Sequence, residues 1–135
     1  MPERASRTVL AFDFGLKRIG VAVGEPELGT AHPLTAIAAA GDARFVAIEK
    51  LVHEWKPAQL VVGVPLSVEG SPHLVTRQAE RFARRLHGRF GLPVATVDER
   101  FTSVEAESRL RGAKRKPVDS VAAQLMLEQY FDELA

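Results

Sequence analysis

The sequence predicts an α/β fold in which a five-stranded mixed sheet carries helices on both faces. Three observations lead there. The first third of the chain holds three β-rich runs in succession. Two further strand-like runs follow, each preceded by a segment whose apolar residues recur at helical spacing, and the chain closes on helical segments. At 135 residues and 46% hydrophobic composition the chain can bury one core and is short for two ordinary domains. One domain spanning 1–135 is therefore expected, with the polar residues 1–7 as a flexible tail.

The elements follow in order. Thr8 to Phe14 and Arg18 to Gly24 are apolar β-rich runs, and Gly15, Leu16 and Lys17 between them have the turn chemistry of a hairpin. Ala31 to Ala38 is a third strand. After Gly41, residues Phe45, Ile48, Leu51, Val52 and Trp55 repeat with helical period, and Pro57 stops the helix. Gln59 to Val64 reads as a buried strand. Ser71 and Pro72 form an N-cap with proline at the first helical position, opening a helix whose core stripe is Val75, Ala79, Phe82, Ala83 and Leu86. Pro93 to Val97 is a short strand. Thr102 with Glu105 is a capping box that starts another helix, and Pro117 opens the last one, which runs to about Leu134. The first three strands can form an antiparallel meander. The last two, each reached through a helix, should join the sheet in parallel.

Composition excludes several chemistries. With no cysteine, disulfides, Cys-based zinc sites and thiol nucleophiles are ruled out. His32, His53, His73 and His87 are dispersed without ligand spacing, so zinc is unsupported. No apolar run approaches membrane-spanning length and no hydrophobic signal region follows the polar N-terminus, so a cytoplasmic protein with no membrane partner is expected. Lys and Arg total 18 against 17 acids, but the charge is segregated. Arg77, Arg81, Arg84, Arg85 and Arg89 share a segment with the single acid Glu80, and five bases with no acid lie between Arg109 and Lys116. A positive surface suited to a polyanion would have this pattern, and so would ordinary solvated helix faces.

Asp13 is the most informative residue, because every neighbour from Val9 to Phe14 is apolar. A charge there must find a cation or hydrogen-bond donors, since burying it unpaired costs several kcal/mol. Alternation places it on the face of Val9 and Ala11, near the strand end. Taken alone, a cap on the Gly15 turn or a pair with Lys17 or Arg18 accounts for it. Asp98 and Glu99 end a strand and point to opposite faces, so one of them can join Asp13 and spacing does not choose which. Asp119 sits in the first turn of the last helix, where acids complement the dipole. It shares a face with Ala123, Met126 and Tyr130, and small Ala122 and Ala123 would let this end approach a sheet. Dispersed acids at element ends suit a hard dication such as Mg²⁺ or Mn²⁺, with open positions for water and phosphate.

Four stretches carry a resemblance over nearly the whole chain. Asp13-Phe-Gly-Leu-Lys-Arg-Ile-Gly-Val-Ala-Val-Gly24, Gly63-Val-Pro-Leu66 followed by Gly70, Val97-Asp-Glu-Arg100 with Thr102 to Glu105, and Val118-Asp-Ser-Val-Ala-Ala123 resemble, in order, the motifs of the YqgF/RuvX family. That family has an RNase H-like fold related to the Holliday-junction resolvase RuvC, and its members are regarded as nucleases of pre-16S rRNA. The resemblance implies catalytic and metal-binding roles for Asp13, Glu99 and Asp119, with Asp98 or Glu25 as an auxiliary acid. It also implies that Gly63 lies against the substrate backbone and that Lys17 and Arg18 stand at the mouth of the site. Leu16 replaces the threonine of many relatives, so a hydroxyl contact is missing there. The basic residues Arg77, Arg81, Arg84, Arg85, Arg100, Lys114, Arg115 and Lys116 would then contact nucleic acid.

The function expected is metal-dependent endonucleolytic cleavage of structured nucleic acid, foremost the 5′ end of pre-16S rRNA in ribosome biogenesis. A Holliday-junction resolvase acting on branched DNA in recombination and repair is the alternative, and it would need a homodimer to place two sites symmetrically. A non-catalytic nucleic-acid-binding factor in ribosome assembly or transcription is a further one. An actin-like phosphotransferase also carries Asp-x-Gly in a first hairpin, but it needs a second lobe for which 135 residues leave no room.

Overall fold

The computed structural model describes residues 7–15, 17–38, 40–65, 74–98 and 118–134. Five strands form one sheet: β1 (Val9–Asp13), β2 (Arg18–Glu25), β3 (Thr30–Ala38), β4 (Gln59–Val64) and β5 (Val94–Asp98). Their order is β3-β2-β1-β4-β5. The three helices among the described residues are α1 (Ala43–Trp55), α2 (Leu74–Phe90) and α3 (Val118–Leu134). β1, β2 and β3 pair antiparallel, whereas β4 joins β1, and β5 joins β4, in parallel. This is the expected meander followed by helix-linked parallel strands. The expected N-cap at Ser71, the capping-box helix from Thr102, and Leu16 and Pro117 lie outside the described residues.

Strand alternation divides the interior into two layers. One face of β1 carries Leu10 and Phe12, which join Ile19, Val21, Leu60 and Val62 beneath α1 and α2. Phe45 and Ile48 of α1 and Ala79, Phe82, Ala83 and Leu86 of α2 fill that side, with Phe82 in ring contact with Phe12, Phe14 and Phe45. The other face carries Val9 and Ala11, which with Ala31 and Val61 meet Met126, Leu127 and Phe131 of α3. Because β1 and β4 are covered on both sides, they read as unbroken apolar runs rather than as alternating ones.

Helix ends follow local chemistry. α1 stops at Lys56, whose left-handed backbone (φ 46°, ψ 58°) lets its N–H donate to the Val52 carbonyl. Pro57 then prevents continuation. Trp55, expected in the buried stripe, is the last residue of the helix and 37% exposed.

Candidate active site

Asp13 ends β1, half-buried, on the α3 side of the sheet with Val9 and Ala11. Its register partners are Gly20 on β2 and Gly63 on β4. Residues opposed across neighbouring strands project to the same face. The carboxylate is thus flanked on the sheet by two residues without side chains.

Gly20 does more than leave space. A Cβ built there would lie 1.9 Å from the Asp119 carbonyl oxygen and 2.2 Å from its carbon, so the first turn of α3 rests directly on this glycine. Along β2 the residues facing α3 are Gly20, Ala22 and Gly24, the register partners of Asp13, Ala11 and Val9. At Gly24 a Cβ would meet the Phe131 ring at 2.9 Å. This row of small residues draws α3 onto the sheet along its length, and at the Gly20 end it sets Asp119 beside Asp13. The sequence places these acids 106 positions apart; the glycine between them brings them together.

Asp119 also has a cationic partner. Arg18 Nε donates to its Oδ2 at 2.9 Å, at a position where the Arg18 side chain is 65% and the Asp119 side chain 33% exposed. Arg18 is thus placed as the partner of Asp119. Lys17 is exposed beside it.

The other expected residues divide. β5 pairs Asp98 with Val64, a member of the α1 and α2 core, yet as the last residue of this edge strand Asp98 also lines a groove with Val97, Met126 and Tyr130 on the α3 side. Positions 95 and 97 take the α3 face. Glu99, Arg100, Lys114, Arg115 and Lys116 lie outside the described residues. On α2, Arg81 and Arg85 turn toward α1, while Arg84 lines a groove with Glu80, His87 and Val94 against β5; Arg77 is exposed. Sequence reasoning assigned no role to Gly20 or to Arg44. The signal for Gly20 was present in the alternating small residues Gly20, Ala22 and Gly24. Arg44 had none, because its place beside the α2 arginines is set by helix packing.

Two carboxylates on one face of the sheet, one half-buried and one partly exposed, supply oxygen donors of the kind a hard dication takes. Among the described residues no group of three or more acidic or histidine ligands assembles.

Comparison with known proteins identifies the relationship. A family model described as RuvX, Holliday junction resolvase, matches residues 7–133. A protein of Dechloromonas aromatica named "Putative pre-16S rRNA nuclease" is 57% identical over 132 residues, covering 93% of this chain and 90% of its own. One of the same name from Methylobacillus flagellatus is 54% identical over 145 residues, covering 100% and 99%. Among solved structures, Thermus thermophilus RuvC in complex with a Holliday junction superposes with a TM-score of 0.63 at 15% identity, covering 94% of this chain and 95% of that one. The yeast mitochondrial Holliday junction resolvase Ydc2 gives 0.54 at 12% identity, covering 94% and 78%. At such identities the structural likeness establishes the RuvC-type fold, and the full-length sequence match establishes the family: the chain belongs to the RuvX family.

Proposed function

We propose that this chain is a metal-dependent endonuclease that hydrolyses phosphodiester bonds of precursor 16S rRNA. The observation that carries the reading is the seating of Asp119 on Gly20, the strand partner of Asp13, which brings two carboxylates to the same end of one face of the sheet. The names of the full-length relatives supply the substrate class. Asp13 and Asp119, with Glu99 as the third carboxylate, would hold Mg²⁺ or Mn²⁺. Glu99 is preferred to Asp98 because the family resemblance of Val97-Asp-Glu-Arg100 points to it. A dication so held would activate water and stabilise the departing oxygen.

The remaining roles belong to the protein itself. Arg18 restrains the Asp119 carboxylate through its Nε and brings positive charge to the edge of the site. Gly20 and Gly63 keep side chains away from Asp13, which lets a substrate backbone approach. Lys17, Arg77, Arg84, Arg100, Lys114, Arg115 and Lys116 supply sequence-independent attraction for phosphates.

The test is a cleavage panel of precursor 16S rRNA, single strands, duplexes and four-way DNA junctions with Mg²⁺ or Mn²⁺, run beside Asp13→Asn. Specific cutting of the precursor by the wild type, abolished by the substitution, is expected. A junction resolvase is the second reading, favoured by the description of the matching family model. Exclusive cutting of four-way junctions would establish it, and binding without any cutting would make the chain a non-catalytic factor.

A further inference from the structure

Across the sheet from Asp13, the side chains of Phe14, Arg44, Gln78, Arg81, Phe82 and Arg85 surround a cavity of about 340 Å³ between α1 and α2. Three of these six side chains are guanidinium groups, and aromatic rings hold two of them. Arg44 lies 4.8 Å from the Phe45 ring centroid and 5.7 Å from that of Phe82, and Arg85 lies 4.7 Å from Phe45. Stacking engages the flat face of a guanidinium, whereas phosphate is bound by its N–H edge. The rings thus fix these groups in a manner compatible with holding an anion.

The electrostatics point the same way. Burial lowers the pKa of Arg44 from the ordinary guanidinium value, and the charges of Arg85 and Arg81 lower it further, while Asp42 opposes them. Asp42 is a weak counter-charge: its side chain is 89% exposed and 3.9 Å from Arg85 Nη2. Like charges gathered around one cavity repel, and a bound anion relieves that repulsion.

Phe14 places this cavity. It follows Asp13 in the chain and belongs to the core on the α1 and α2 side, so the cavity and the carboxylates share the same end of β1 on opposite faces of the sheet. A folded RNA presents phosphates on more than one strand and can straddle such an edge. We infer that the Arg44, Arg81 and Arg85 cavity binds a backbone phosphate of the nucleic acid, remote from the bond that is cut. The inference rests on the nuclease reading for the identity of its ligand, and it assigns Arg44 and Gln78 to a site that also divides the α2 arginines by role.

The experiment measures binding of a fluorescein-labelled RNA hairpin across a series of KCl concentrations, in an Asp13→Asn background so that cleavage does not intervene. Arg81→Gln and Arg44→Gln should each weaken binding about fivefold to tenfold and reduce the salt slope by about 0.7 to 0.9 per lost contact. Lys50→Gln, which removes an exposed charge elsewhere on α1, should change neither. Arg81 is exposed, so Arg81→Gln keeps the test valid even if Arg44→Gln disturbs the aromatic packing. Unchanged affinity and slope in Arg81→Gln would overturn the inference. A protein that binds through these arginines while the wild type cuts no substrate would remove the nuclease reading and leave the cavity standing. Asp13-dependent cleavage with arginine-independent binding would do the reverse.

Discussion

Asp119 meets two opposing demands. Its carboxylate accepts from Arg18 Nε, yet the seating of α3 on Gly20 puts it on the face that carries a second carboxylate, the like charge of Asp13. In Asp119→Asn the amide oxygen still accepts from Arg18, an exposed ion pair worth about 0–1 kcal/mol is weakened, and a like charge disappears. These effects offset, so metal-free stability should stay within about 1 kcal/mol of wild type. Cleavage should fall by about two orders of magnitude or more, because an amide is a poor ligand for a hard dication. Added Mg²⁺ should raise the melting temperature of wild type more than that of the variant, as linkage requires when folded-state affinity drops. Thermal melts with and without Mg²⁺ beside single-turnover cleavage check all three, and near-normal cleavage would remove Asp119 from the site.

At the scale of elements, the seating of α3 on β2 is the joint that assembles the site. Gly20→Ala forces a methyl group into the Asp119 backbone, which cannot rotate away as a side chain would. It should cost about 3 kcal/mol in urea unfolding, and it should lower turnover beyond what lost stability explains, because Asp119 moves with the helix. Wild-type turnover in a folded Gly20→Ala protein would show that the contact only packs the helix. The end of α1 gives a prediction of opposite sign. Lys56 is exposed and holds a left-handed conformation unfavourable to a side chain. Lys56→Gly keeps the N–H that caps Val52 and removes the Cβ clash, so it should stabilise by about 0.5–1 kcal/mol. A lower urea midpoint would show that the strain is relieved in some other way.

Across the whole molecule the sheet separates two tasks. The α3 face carries the carboxylates, and the α1 and α2 face carries the aromatic core with its ring of arginines. Kinetic constants should separate along the same line. Arg81→Gln should raise KM about fivefold with kcat nearly unchanged, because a remote phosphate contact contributes equally before and during the chemical step. Asp13→Asn should reduce kcat by orders of magnitude with little change in binding. Phe82 links the tasks, since it is fully buried against Phe12 and lies under Arg44. Phe82→Leu should destabilise by about 1 kcal/mol and also weaken RNA binding. Loss of stability with intact binding would separate the core from the arginine cavity.

Local pattern alone determined the order and type of these elements: the hairpin around Gly15, the strand Gln59–Val64, the amphipathic stripe of α2, and a last helix after Pro117. It also identified Asp13 as out of place and put it on the face of Val9 and Ala11. Periodicity and turn chemistry act over a few residues, so they are legible without a fold. Tertiary structure decided what depends on register and on helix docking. It made Gly63 the neighbour of Asp13, set the start of α3 on Gly20, gave Arg18 to Asp119, and carried Arg44 to the arginines of α2. None of these pairs is close in sequence. A strand's register is set by which apolar faces must be buried together, and a helix's height over the sheet by the smallest side chains beneath it; both are properties of the assembled core, and a single segment contains neither.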